Sequence, residues 1–250
     1  MDMESFDAHN HLQKGPSGPI CQDLALKKTG AAVNSTCEKD WVEVEDLAAQ
    51  YPHVVVPGFG IHPWWADSAL GETWSQRLES LLQKYPGAFI GEAGLDGYRA
   101  NRPKGPGFSS QIKILIPQLT LASQMERPIV LHCVKAWDEL RDQLLQAKVR
   151  HFAIHRFKGN PEMALEIVKM GGYLSIHLDT LYHYPSSSCV DSVPKTRILL
   201  ETDYDGPRID GKHIPDELQE LYNRLALVWR LDPRDVMTLA YQNARNFYRF

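Results

Sequence analysis

Short apolar segments alternate along this chain with longer segments of helical periodicity, and this alternation is the feature that most constrains the fold. Several of the apolar segments are nearly continuous hydrophobic runs, which is typical of parallel strands buried on both faces. Repeated strand–helix units predict an α/β protein, a (β/α)8 TIM barrel. The eight predicted strands cover residues 5–11, 30–36, 53–60, 87–92, 128–132, 150–155, 172–176 and 197–203.

The segments between the strands show helical spacing of apolar residues, and Asn160 followed by Pro161 predicts a helix start. Pro117 lies inside an otherwise helical stretch, 109–126, so we expect a kink or a late helix start there. Residues 177–196 contain two prolines and a run of three serines, so the seventh helix is expected to be short or lost. A chain of 250 residues without a visible linker is expected to form one domain, residues 1–250.

The composition excludes several classes of protein. The four cysteines show no CxxC spacing, so neither a disulfide framework nor a zinc finger is expected, and scattered thiols suit a reducing compartment. No signal peptide and no apolar run of membrane-spanning length is visible, so the sequence predicts an intracellular protein, cytoplasmic or nuclear, without a membrane partner. The net charge of −4 gives no global attraction to nucleic acid, so an anionic ligand would need local positive charge or metal.

Histidine and carboxylate side chains lie at the C-terminal ends of the predicted strands, where TIM barrels place their active sites. His9 and His11 are two residues apart in the first strand, so both side chains project from one face, as two ligands of one metal ion must. Imidazoles and carboxylates together suit Zn, Mn, Fe, Co or Ni, and also Mg where carboxylates and water dominate. The candidate metal ligands are His9, His11, Glu92, His132, His155 and Asp203.

This set exceeds the four ligands of one tetrahedral ion, so two divalent ions that share one bridging carboxylate fit it better. Two ions can activate water, polarise a phosphoryl or carbonyl oxygen and stabilise a leaving oxygen. Asp203, on the last predicted strand, is the candidate for accepting the proton of the attacking water. The sequence therefore predicts a hydrolase with two divalent ions, Zn, Mn or Mg, as its cofactor.

Seven motifs of this chain resemble those of the TatD-related metal-dependent hydrolases, a deoxyribonuclease-like family of the amidohydrolase superfamily. They occur in family order over nearly the whole chain: FDAHNHL at 6–12, GIHP at 60–63, IGEAGLD at 90–96, PIVLHC at 128–133, HRFKG at 155–159, LLETD at 199–203 and NARNF at 243–247. The resemblance implies a TIM barrel with a dinuclear site in which Glu92 is a catalytic, bridging residue. It implies these ligand sets: His9, His11, Glu92 and Asp203 around one ion, and Glu92, His132 and His155 around the other.

Three departures from the family pattern surround the predicted substrate pocket. Val134 and Lys135 stand where the family usually has an arginine followed by an acid, and Arg156 replaces the family's cysteine after the sixth-strand histidine. The family's arginine- and asparagine-rich segment after the eighth strand is absent. The departures predict an altered substrate pocket beside an intact metal site.

Three side chains are predicted to contact the substrate. His62 of the GIHP motif is expected to face the pocket, and the alternative is a turn histidine bonded to backbone. Lys135 and Arg156 each lie within three residues of a predicted ligand and are expected to hold an anionic group. Basic residues are concentrated in the segments predicted at this end of the barrel, which favours an anionic substrate: Lys14, Arg99, Arg102, Lys104, Lys135, Arg156, Lys158, Arg208 and Lys212.

The leading hypothesis is a metal-dependent hydrolase of ester bonds, whose preferred substrate is a phosphoester in DNA, RNA or an anionic small molecule. One alternative is a carboxylic ester, lactone or amide hydrolysed at the same centre. The other is an interaction or scaffold protein that retains an unused metal site.

Overall fold

Eight parallel strands form a single sheet, and their order in the sheet follows their order in the chain. The structure, a computed structural model, describes residues 3–69, 73–207 and 213–250. The strands are β1 Ser5–Asn10, β2 Thr29–Asn34, β3 Val55–Phe59, β4 Phe89–Asp96, β5 Ile129–Val134, β6 Phe152–Ile154, β7 Tyr173–Ile176 and β8 Ile198–Leu200. A parallel bridge between Asn10 and Tyr204 brings the chain after β8 back to β1, so the sheet curves into a barrel. The predicted barrel and its strands are confirmed.

Helices follow the strands and cover the outside of the barrel, where their apolar faces pack against the sheet. Their bounds are α1 Ser17–Leu26, α2 Trp41–Gln50, α3 Thr73–Lys84, α4 Gly97–Ala100, α5 Phe108–Gln124, α6 Trp137–Gln146, α7 Pro161–Lys169, α8 Leu178–Tyr182, α9 Cys189–Ser192, α10 Ile214–Trp229 and α11 Pro233–Tyr248. Asn160 caps α7 by accepting a hydrogen bond from the backbone N–H of Met163, as the sequence predicts. The helical region after β7 is indeed short, because only α8 and α9 lie between β7 and β8.

Of the two alternatives expected at Pro117, a kink or a late helix start, the late start is wrong, since α5 begins at Phe108 and runs through the proline. A proline inside a helix removes one backbone hydrogen bond. Buried contacts around it compensate, because the amide side chain of Gln118 accepts from the N–H of Ile61 at 2.8 Å and donates to the carbonyl of Ile61 at 3.2 Å. Tertiary contacts therefore fix this helix where local propensity would interrupt it.

The interior of the barrel is filled by small and aromatic side chains and is closed at one end by α11. Val130 and Ala153, from neighbouring strands, belong to the same buried cluster as Phe247 and Tyr248 of α11. The Tyr248 hydroxyl donates to the carbonyl of Ala8 at 2.5 Å. Since α11 occupies the N-terminal ends of the strands, the candidate site is sought at the opposite end, where the strands finish and where TIM barrels place their active sites.

No helix within residues 3–69, 73–207 and 213–250 combines the length and the apolar character needed to cross a membrane. Cys21, Cys37, Cys133 and Cys189 are free thiols, in agreement with their spacing in the sequence.

Candidate metal centre

The structure gathers the six predicted metal ligands at the C-terminal ends of the strands. Their donor atoms meet around the carboxylate of Glu92, which is 2% exposed. The strands that carry or directly precede them are β1, β4, β5, β6 and β8, and the ligands in chain order are His9, His11, Glu92, His132, His155 and Asp203.

Irregular strand pairing accompanies two of these residues, His9 and Glu92. The register of β1 against β2 shifts around His9, and the register of β4 against β5 shifts around Glu92. Such irregularities redirect side chains and recur beside active sites. Gly94 lies close to the second of them with a φ of +132°, and a Cβ atom there would stand 2.0 Å from the carbonyl oxygen of His132. Only glycine therefore allows β5 to lie this close to β4.

One oxygen of Glu92 faces a first group of ligands. Its Oε2 lies 3.5 Å from His9 Nε2 and 3.3 Å from His11 Nε2, and the two nitrogens are 3.3 Å apart. Asp203 Oδ1 lies 3.7 Å from each nitrogen. Ligand atoms about 2 Å from one tetrahedral ion are about 3.3 Å apart. The spacing of this group therefore suits a single ion.

The other oxygen of Glu92 faces a second group. Its Oε1 lies 3.1 Å from His132 Nδ1 and 2.9 Å from His155 Nε2, and the two nitrogens are 3.4 Å apart. His62 Nε2 also lies 3.2 Å from Oε1. Glu92 thus has one oxygen toward each group, which is the arrangement that a bridging carboxylate needs.

Two carboxylates that the sequence analysis did not single out orient the histidines of the second group. Asp96 Oδ2 lies 3.2 Å from His132 Nε2, and Glu201 Oε1 lies 3.5 Å from His155 Nδ1. A carboxylate that accepts from the far nitrogen, as Asp96 does from His132, holds the hydrogen there and leaves the lone pair of the near nitrogen for a metal. The longer contact between Glu201 and His155 is an ionic one. Asp96 ends the IGEAGLD motif and Glu201 lies in LLETD, but no spacing in the sequence pairs either carboxylate with its histidine.

His11 and His62 differ in the direction of their hydrogen bonds. His11 Nδ1 lies 2.7 Å from the carbonyl of Asn34, so its hydrogen points to that oxygen and Nε2 is available as a ligand. His62 instead accepts at Nδ1 from the N–H of Trp64 at 3.1 Å, so a neutral His62 carries its hydrogen on Nε2 and points it at Glu92. His62 therefore supports Glu92 as a donor, and its backbone bond corresponds to the turn-histidine alternative.

Burial and charge set the protonation of the cluster. Burial opposes ionisation of Glu92, but the imidazoles of His155 and His62 hold its pKa well below its usual range. Burial lowers the pKa of His62 to about 4 and also lowers the pKa of His9, which keeps both neutral. Burial alone would lower the pKa of His155, but Glu92 and Glu201 raise this pKa well above its usual range. The contacts with Asp96 and Glu92 raise the pKa of His132 in the same way, although burial opposes this. A buried anion beside imidazoles whose protons a cation can replace fits divalent metal.

The two predicted basic contacts lie at different depths. Arg156 reaches the cluster, because its Nη1 donates to Asp203 Oδ2 at 2.7 Å. Lys135 is exposed further out, with its ammonium 5.6 Å from the centre of the Tyr98 ring. The predicted basic residues Arg208 and Lys212 lie outside the described residues.

The chain matches the model of a known protein family over nearly its whole length. The family model described as TatD related DNase matches residues 6–249. The chain belongs to this family. The resemblance predicted from the seven motifs is therefore confirmed, and with it the class of activity, a metal-dependent hydrolase of ester bonds.

Relatives in the TatD family match the chain over most of its length. The chain is 25% identical to human "Deoxyribonuclease TATDN3", over 97% of the chain and 93% of that protein. It is 26% identical to "3'-5' ssDNA/RNA exonuclease TatD" of Yersinia pseudotuberculosis, over 88% of each. Among solved structures, the TatD homologue YJJV of Escherichia coli superposes with a TM-score of 0.86 and 22% identity, covering 100% of both chains, which supports the fold.

Proposed function

We propose that this protein hydrolyses phosphoester bonds with two divalent ions that share Glu92 as a ligand. The observation that carries the proposal is the division of the Glu92 carboxylate, with Oε2 facing His9 and His11 and Oε1 facing His132 and His155. When bound, a pair of divalent ions lowers the pKa of water and neutralises charge that develops on the phosphoryl oxygens.

Asp203 is the proposed proton acceptor. Its Oδ1 is turned toward the His9 and His11 nitrogens and its Oδ2 is bonded by Arg156. Burial alone would raise the pKa of Asp203, but the surrounding histidines keep this pKa below its usual value. The carboxylate is therefore ionised and can accept a proton from the attacking water. Arg156 fixes the orientation of this carboxylate.

The charge at the open end of the barrel supports an anionic substrate. Arg99, Arg102 and Lys135 are all at this end of the barrel. A phosphodiester in DNA or RNA, the substrate that the names of two relatives state for those proteins, fits this charge better than a neutral carboxylic ester does. We also infer that residues 1–250 form one domain and that the protein is intracellular, as its free thiols suggest.

Hydrolysis assays test the proposal directly. Purified protein loaded with Mn²⁺, Zn²⁺ or Mg²⁺ is given bis(p-nitrophenyl) phosphate, p-nitrophenyl acetate and a single-stranded oligonucleotide, each with and without chelator. We expect chelator-sensitive cleavage of the phosphodiesters, and Glu92→Gln should abolish it. Faster cleavage of the acetate would favour the carboxylic ester alternative, and loaded protein that cleaves nothing would favour an interaction protein.

A further inference from the structure

Aromatic and basic side chains lie beside the metal centre, in the loops that follow β3, β4 and β5. We call this group the aromatic rim, and it consists of Trp64, Tyr98, Arg99, Arg102 and Lys135. Trp64 is 51% exposed and Tyr98 is 49% exposed, although apolar rings of this size are usually buried. None of these residues is required for the proposed ligand sets.

Trp64 connects the aromatic rim to the metal centre. Its indole Nε1–H donates to Asp96 Oδ2 at 2.6 Å, and Asp96 also contacts His132. The Trp64 ring meets the rings of His62 and His132 edge-on, with centroids 5.1 and 6.3 Å away. The Trp64 ring is thus held at a fixed angle, one side chain away from a proposed metal ligand, with half of its surface open to solvent.

The cations of the aromatic rim stand over its rings. The Arg99 guanidinium is 5.5 Å from the centre of the Trp64 ring, and Arg102 and Lys135 lie 4.3 and 5.6 Å from the centre of the Tyr98 ring. Within the described residues, no carboxylate lies at ion-pair distance from these three cations. Their positive charge is therefore available to a ligand.

The opposite side of the opening is different in charge. There Arg156 and Lys158 both bind Asp179, at 2.9 and 2.6 Å, and Arg156 also binds Asp203. These cations are already neutralised by carboxylates of the protein. Of the two sides, the aromatic rim is therefore the one that offers uncompensated positive charge to an anionic chain entering the site.

We infer that the aromatic rim is a base-stacking subsite that takes the unpaired nucleotide next to the scissile phosphate of a single-stranded nucleic acid. Planar rings flanked by cations bind single strands, because each base stacks on a ring while its phosphate meets a cation. In a duplex the bases are stacked on each other and do not expose their faces. The inference rests on the proposed phosphoesterase function, but it concerns the recognition of the base and not the reaction.

Binding tests this inference without depending on hydrolysis. The Asp203→Asn protein, loaded with metal, is titrated by fluorescence anisotropy with a labelled thymidine oligonucleotide of about eight residues, within the range that single-strand grooves occupy. The second probe has the same number of phosphates and a tetrahydrofuran unit in place of every nucleoside. We expect the thymidine strand to bind about tenfold more tightly than the abasic strand, since stacking of one base is worth about that factor.

Two substitutions separate stacking from the hydrogen bond to Asp96. Trp64→Phe keeps a ring and loses the indole N–H, so it should keep the preference for the thymidine strand. Trp64→Leu loses the ring and should bind the thymidine strand about tenfold more weakly while leaving the abasic strand unchanged. Tyr98→Ala should act in the same direction.

Tyr182→Ala is the matched control. Tyr182 is 54% exposed and has the guanidinium of Arg224 4.7 Å from its ring centre, but its hydroxyl bonds to Glu220 of α10, away from the aromatic rim. This variant should bind both strands as the parent does. Equal affinity of the parent for the two strands, or an equal loss in Tyr182→Ala and Tyr98→Ala, would overturn the inference.

The two proposals fail in different ways. If the protein cleaves phosphodiesters but does not distinguish the thymidine strand from the abasic strand, the subsite is wrong and the function stands. If it binds bases through Trp64 but cleaves no phosphodiester under any metal, the proposed function is wrong and the subsite stands.

Discussion

Glu92 is the residue on which both ligand groups depend. It is a buried carboxylate with imidazoles on both of its oxygens, and the charge on it is balanced only when cations or protons are nearby. His11 and His132 contact different oxygens, so removing the charge of Glu92 affects both groups at once.

Glu92→Gln should therefore lose most of its affinity for both ions. The variant keeps the shape of the side chain and one oxygen, but it replaces the other by a hydrogen-bond donor. Elemental analysis after gel filtration should give about two ions per chain for the parent and close to none for the variant.

The matched control is Glu201→Gln, also fully buried. Glu201 faces the far nitrogen of His155, so its loss should weaken only the second group, by about 10- to 100-fold, the usual effect of removing such a partner. Full loading of Glu92→Gln would rule out the bridge.

Asp203→Asn separates metal binding from chemistry. The variant keeps one oxygen for the first group but cannot accept a proton as a carboxylate does. Turnover should fall by roughly 10²-fold or more, the scale of losing a general base, while metal content stays near that of the parent. Asp205→Asn, two residues away and exposed, should keep its turnover, and an active Asp203→Asn would contradict the assigned role.

At the scale of the elements, the sequence predicts what depends on periodicity and leaves out what depends on contacts between distant segments. All eight strands follow from apolar runs, because burial on both faces leaves a direct trace in composition. The continuation of α5 through Pro117 does not, since the sequence does not show the buried hydrogen bonds between Gln118 and Ile61, which lies 57 residues away.

The same distinction applies to the metal centre. The sequence indicates the histidines because each ends an apolar run. It does not indicate the partners Asp96 and Glu201 without knowledge of which carboxylate faces which ring. His62 is the clearest example of a role that the sequence does not show. Whether it binds a metal ion or donates a hydrogen bond to Glu92 depends on a single backbone hydrogen bond from Trp64.

Gly94→Ala tests the close approach of β4 and β5. A methyl group there would stand 2.0 Å from the carbonyl oxygen of His132, and the φ of +132° is unfavourable for any residue with a side chain. We expect a loss of about 3 kcal/mol or more in the free energy of unfolding, measured by urea denaturation.

Gly87→Ala is the control for that substitution. A methyl group at Gly87 would have no neighbouring atom within 4 Å, so the replacement should change the free energy of unfolding by about 1 kcal/mol at most. A Gly94→Ala protein as stable as Gly87→Ala would mean that β5 can move away without cost.

In the whole molecule, one end of the barrel is packed with buried side chains and the other end has the candidate functional site. Phe247 and Tyr248 of α11 fill the end where the strands begin, whereas the ligands, the aromatic rim and Arg156 lie where the strands finish. The proposed ligands come from segments that are far apart in the chain, from His9 to Asp203, so bound ions would connect the first strand to the last.

Removal of metal should therefore lower the stability of the entire barrel. A ligand that binds only the native state, present at 100 times its Kd, stabilises that state by about 2.7 kcal/mol. For a protein of this size, each 1 kcal/mol shifts the melting temperature by about 2–4 °C, so excess chelator should lower the melting temperature by roughly 5–10 °C. Glu92→Gln should melt at the same temperature with and without chelator, because it has no ions to lose. A parent protein that is equally insensitive to chelator, while elemental analysis shows that its ions have been removed, would mean that the ions do not link the strands.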